Sequence, residues 1–94
     1  MNDELFRERL RELRKTLGLK QSVLGELLGV NRSMISKYEN GDRKPTIDAI
    51  VRLSRIFKVD VTYLMGLTDQ ILINVRDYVT YEKIMNLLKD DDLL

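Results

Sequence analysis

Four of the five glycines, Gly18, Gly29, Gly41 and Gly66, each stand at the end of a run whose apolar residues recur in steps of three and four. A chain punctuated in this way is confined to short helices, because such steps place one helix face on a core and glycine readily ends the helix. The first run is Phe6, Leu10, Leu13 and Leu17, closed by Gly18, with Arg7, Glu8, Arg9, Arg11, Glu12 and Lys15 between. The second, about residues 21–28, carries Val23, Leu24, Leu27 and Leu28 ahead of Gly29. Asn31 is placed to cap a third helix through Tyr38 or Glu39, with Ile35 and Tyr38 facing inward. Thr46, after the only proline, caps a fourth helix carrying Ile47, Ile50, Val51, Leu53, Ser54, Ile56 and Phe57. Asp60 caps a helix of one or two turns that runs through Met65. The expected fold class is all-α, since five glycines and one proline leave little turn chemistry for a many-stranded sheet.

Ninety-four residues suffice for one domain and a short appendage. Charge divides the chain in the same place as pattern does. Residues 1–68 carry 13 Lys and Arg against 9 Asp and Glu, whereas residues 69–94 carry 3 against 6. The first part is expected to be the five-helix domain and the second a C-terminal helical extension. Within the extension, Ile71, Leu72, Ile73 and Val75 form an apolar stretch that fits either an extended or a helical backbone. From Asp77 onward, Tyr78, Tyr81, Met85 and Leu88 follow in steps of 3, 4 and 3, a seam suited to a partner helix. The seam serves either a dimer contact between two chains or packing onto its own domain.

Several function classes drop out on composition. The chain has no His and no Cys, which removes the commonest general base, thiol nucleophiles and most transition-metal sites, so neither an enzyme nor a metal or other cofactor is expected. Asp90, Asp91 and Asp92 are adjacent in sequence near the end of the chain, and no converging acid–base pair is expected elsewhere. No apolar run reaches the roughly 20 residues of a membrane span, and with no leader-like start the expected location is cytoplasmic. No segment offers a separate effector-binding domain, so control is expected through dimerisation, a protein partner or concentration.

Two short helices joined by about three residues, the second with a polar outer face, form the layout of a helix-turn-helix. Their close crossing requires a small residue in the first helix, and Gly25 is that residue, with Val30 filling the angle between them. Residues 5–66 resemble the Cro and phage-repressor type of regulators, the XRE family with a lambda-repressor-like fold. The likeness lies in Gly18-Leu19-Lys20-Gln21, Leu24 to Val30, Asn31 to Gly41, and Pro45-Thr46-Ile47. Gly25 departs from the family's usual Ala, at a helix-propensity cost of about 1 kcal/mol.

The resemblance implies a dimeric, sequence-specific regulator of double-stranded DNA, most simply a repressor, whose third helix reads the major groove of an inverted repeat. It assigns base reading to Arg32, Ser33, Ser36 and Lys37, which share one helix face, and Arg32 has the fork that fits guanine O6 and N7. Backbone phosphates are assigned to Gln21, Asn31, Asn40, Arg43 and Lys44. Arg14 and Glu39 are expected to form an internal ion pair, and Met34 to fill packing space rather than meet a thymine methyl. The same scaffold also serves as an antitoxin-like module holding a protein partner; the acid-free set of proposed readers favours DNA.

Overall fold

The computed structural model describes residues 1–71. They form five helices and no strand: α1 (Asp3–Thr16), α2 (Gln21–Leu28), α3 (Arg32–Asn40), α4 (Ile47–Phe57) and α5 (Val61–Leu64). The seam residues Tyr78, Tyr81, Met85 and Leu88, and the stretch from Leu72 onward, lie outside the described residues.

Side chains set most of the helix starts. Asn31 Oδ1 accepts from Met34 N at 2.8 Å, Thr46 Oγ1 from Ala49 N at 3.0 Å, and Asp60 Oδ1 from Thr62 N at 2.7 Å, each satisfying an amide with no partner inside its helix. Asn2 does the same for Leu5 N at 3.1 Å, so α1 begins at Asp3, ahead of the first apolar position. The helix presents Asp3 and Glu4 at its positive end and Arg14 and Lys15 at its negative end.

One core joins all five helices. Phe6 and Leu10 of α1 meet Leu24 and Leu28 of α2, Ile35 and Tyr38 of α3, Ile50, Leu53 and Phe57 of α4, and Leu64 of α5. Each fully buried Leu, Ile or Phe contributes roughly 1.5–3 kcal/mol, which is how helices of 4 to 14 residues, too short to persist alone, hold together. Four apolar residues of the sequence pattern stay outside: Leu17 (53% exposed), Val23 (38%), Leu27 (57%) and Ile47 (67%). The stripe of α1 stops at Leu13 because the helix ends at Thr16. On α2 the buried residues are Leu24, Gly25 and Leu28, so the core-facing stripe is narrow. Ile47 occupies the first residue of α4, ahead of the core-facing Ala49 and Ile50.

The start of the turn between α2 and α3 leaves no room for a side chain at position 25. A Cβ at position 25 would lie 2.7 Å from Val30 O, and Val30 N donates to Gly25 O at 2.8 Å. Gly29 makes the turn with φ +84°, in the left-handed region that side chains disfavour.

A buried arginine ties α1 to the far end of the domain. Arg9 donates to Tyr63 O at 2.5 Å, to Thr68 O at 2.8 Å and to Asp69 Oδ1 at 3.1 Å, and its guanidinium lies 4.0 Å over the Tyr63 ring. These bonds compensate the burial of its charge. Asn2 N also donates to Met65 O at 2.9 Å, and Asp60 N donates to Ile71 O.

Candidate nucleic-acid interface

α3 faces two ways, and its residues divide accordingly. Ile35, Tyr38 and Glu39 are buried, while Arg32, Ser33 and Lys37 are exposed and Ser36 is half-buried beside them. Met34 packs, partly buried, against the core. The outer face therefore carries two cations and two hydroxyls, and its one carboxylate points inward. Among the described residues, the side chains of Arg32, Lys37 and Arg43 have no hydrogen-bond or ion-pair partner. Ser36 Oγ accepts from Asn40 Nδ2 at 3.3 Å, which leaves the hydroxyl proton free to donate.

Glu39 is the hub beneath this surface. Arg14 grips it with two bonds, Nε to Oε2 at 2.6 Å and Nη2 to Oε1 at 3.0 Å, and the two side chains are 13% and 3% exposed. Hydrogen bonding to Glu39 pushes the Arg14 guanidinium above its ordinary pKa; burial opposes this, and the carboxylate's charge adds to it. Gln21 Nε2 donates to the same Oε1 at 3.3 Å, so the amide assigned to a phosphate also rests against Glu39. One carboxylate thereby ties α3 to both α1 and α2.

Two further arginines hold the carboxyl end of α3, and the sequence reading missed both. Arg11 Nη2 donates to Glu39 O at 3.0 Å, and Arg7 Nη1 reaches Asn40 O at 3.5 Å. Cations there complement the helix dipole. The signal was present: Arg7, Arg11 and Arg14 follow in steps of 4 and 3, one face of α1 aimed at α3.

The assigned phosphate contacts fall into two groups. Gln21 opens α2, whose cap residue Lys20 makes no side-chain cap bond, so its first-turn amides are left to solvent or a ligand. Asn31 spends its Oδ1 on capping α3 and retains its amide nitrogen. Asn40, Arg43 and Lys44 cluster at the other end of α3, all exposed, with Lys44 Nζ 3.4 Å from Asp3. A groove of about 100 Å³ between α1 and the loop after α3 is rimmed by Arg7, Arg43 and Lys44, and it is too small for a cofactor or effector. Among the described residues, no cluster of acidic side chains is arranged to hold a metal ion, and no helix is long and apolar enough to cross a membrane.

A helix-turn-helix whose second helix carries a basic, acid-free outer face places the chain in the helix-turn-helix class of proteins. The chain belongs to the helix-turn-helix family, whose model matches residues 10–64. It is 40% identical over 65 residues to YobD, an HTH-type transcriptional regulator of Bacillus subtilis, covering 69% of this chain and 58% of YobD. ImmR, another HTH-type regulator of that organism, is 32% identical over 89 residues, which span 93% of this chain and 70% of ImmR. Among solved structures, the P22 c2 repressor in complex with a synthetic operator superposes with a TM-score of 0.64 at 31% identity, over 68% of this chain and 97% of that one. The restriction-modification controller protein C.AhdI of Aeromonas hydrophila gives 0.62 at 33% identity, over 67% and 96%. The chain spans from 16% to 70% of the length of the curated relatives YobD, the Pyrococcus furiosus regulator PF1851 and ImmR.

Proposed function

We propose that this chain is a sequence-specific DNA-binding regulator acting as a homodimer, most simply a repressor, with α3 in the major groove of an inverted-repeat operator. The observation that carries the reading is the outer face of α3, where Arg32 and Lys37 stand exposed without partners and the only acid is turned into the protein. A lone cation on a helix is ordinary; a base-reading face also needs flanking donors for the backbone. Gln21 with the uncapped start of α2 provides these at one end of α3, and Asn40, Arg43 and Lys44 at the other. A relative solved on a synthetic operator, the P22 c2 repressor, supports the same use of this scaffold.

Residues 69–94 complete the proposal as the dimer element. Their negative balance is repelled by phosphate, and one helix-turn-helix unit grips too little DNA for tight specific binding. A two-fold pair would set its recognition helices about 34 Å apart, one turn of DNA.

The experiment is selection of fragments retained by the purified chain from genomic DNA at two salt concentrations, followed by variants on the enriched sequence. Arg32→Ala is expected to cost about 1–3 kcal/mol on that sequence and to relax preference at one base position per half-site. Gln21→Ala is expected to weaken enriched and random DNA alike. Equal losses on both DNAs for Arg32→Ala would remove it from the base-reading set.

A further inference from the structure

The groove between α1 and the loop after α3 combines three cations from separated parts of the chain with a helix end already turned toward the proposed backbone contacts. Arg7 comes from the second turn of α1, and Arg43 and Lys44 from the loop. Arg7 reaches across to Asn40 O, and Gly41 leaves the room: a Cβ there would collide with the Arg7 guanidinium. That one bond, long at 3.5 Å, leaves Arg7 most of its donors, and the side chain of Arg43 has no partner among the described residues. The only acid lining the groove is Asp3, 3.4 Å from Lys44 Nζ, with the lysine largely in solvent and the aspartate about half exposed. Three cations outweigh one carboxylate and the partial negative charge of the carbonyl end of α3, which leaves a site whose charge favours an anion.

We propose that this groove takes a DNA backbone phosphate, with Arg7 as a contact contributed by α1 and Arg43 and Lys44 closing the other side. The proposal rests on the DNA-binding reading above and extends its footprint beyond α2 and α3. Position argues for a polymer phosphate over a free one, because the groove adjoins Asn40 at the end of α3, where the backbone leaves the proposed base-reading face. Asp3 then competes with the phosphate for Lys44.

The full chain, bound to a mixed-sequence duplex about three helical turns long, tests this through the dependence of affinity on salt between about 50 and 200 mM. Arg7→Ala is expected to lower the slope of log affinity against log salt by about 0.9 per bound chain, with the affinity loss near tenfold at the lower salt and smaller at the higher. A role confined to capping α3 would leave the slope unchanged, and an unchanged slope in folded Arg7→Ala overturns the proposal. Asp3→Asn removes the competing carboxylate and is expected to tighten binding; equal or weaker binding likewise overturns it. Inorganic phosphate at matched ionic strength is expected to leave the thermal midpoint where it was. A rise that Arg7→Ala abolishes would assign the groove to free phosphate instead. Failure of the unaltered chain to bind any duplex would sink the DNA-binding reading itself, an outcome separate from the behaviour of Arg7.

Discussion

Glu39 illustrates how one side chain on a helix proposed to read DNA can serve the interior. Its carboxylate, 3% exposed, is satisfied by Arg14 from α1 and Gln21 from α2. Removing Glu39 strands the Arg14 charge in a poor solvent, so Glu39→Ala is expected to cost about 3–5 kcal/mol in denaturant unfolding, whereas Arg14→Ala leaves Arg11 Nε 3.8 Å from Glu39 Oε1 and is expected to cost less. The exposed Asp48–Arg52 pair of α4 gives the contrast: Asp48→Ala is expected to change stability by about 0–1 kcal/mol. The pH dependence follows from the raised Arg14 pKa. A cation favoured by the fold stabilises fully below its unfolded pKa and loses that contribution only as pH climbs through the higher folded value. The difference in stability between the unaltered chain and Arg14→Leu is therefore expected to be the same at about pH 7 and about pH 10, as read by unfolding at each. A difference that shrinks by pH 10 would mean a group other than Arg14 titrates.

At the scale of elements, the crossing of α2 and α3 sets the aim of the proposed reading face. Gly25→Ala gains about 1 kcal/mol of helix propensity yet places a methyl 2.7 Å from Val30 O. Because that oxygen belongs to backbone also bonded to the turn, the strain is expected to exceed the gain, and the thermal midpoint to fall. A midpoint that rises would show that the two helices can part without loss. Where helix starts and stops have their own residue types, the sequence was legible: Asn31, Thr46 and Asp60 cap, and Gly29 and Gly66 take positive φ after α2 and α5. The end of α4 was not, because Lys58 adopts φ +58° in the place a glycine would ordinarily fill. Nor was the outer face of α2 legible, since Val23 and Leu27 match a helical period that cannot tell a wide core-facing stripe from a narrow one. Of the candidate site, the family resemblance named Arg32, Ser33, Ser36 and Lys37, and spacing told only that the four share one helix face. The roles of Arg7, Arg9 and Arg11 could not be read, because arginine on a helix reads as solvated until a neighbouring carbonyl or carboxylate is brought to it by the fold.

For the whole molecule, the proposed dimer element and the five-helix unit meet where Arg9 binds Thr68 and Asp69. Contacts of the unit continue to Ile71, whose carbonyl accepts from Asp60 N, so a truncation that leaves the unit intact ends after Ile71. Sedimentation of that truncated chain is expected to show a folded monomer, and of the full chain a dimer. Equal dimerisation of the two would move the interface onto residues 1–71.

The same junction has a consequence for how such a unit travels between proteins. Asn2 bonds to Met65 and Arg9 to Asp69, so the polypeptide begins and finishes its five helices at one spot. A unit with its two ends side by side can be spliced before, after or within other sequences without disturbing its interior, much as a cassette drops into a single slot.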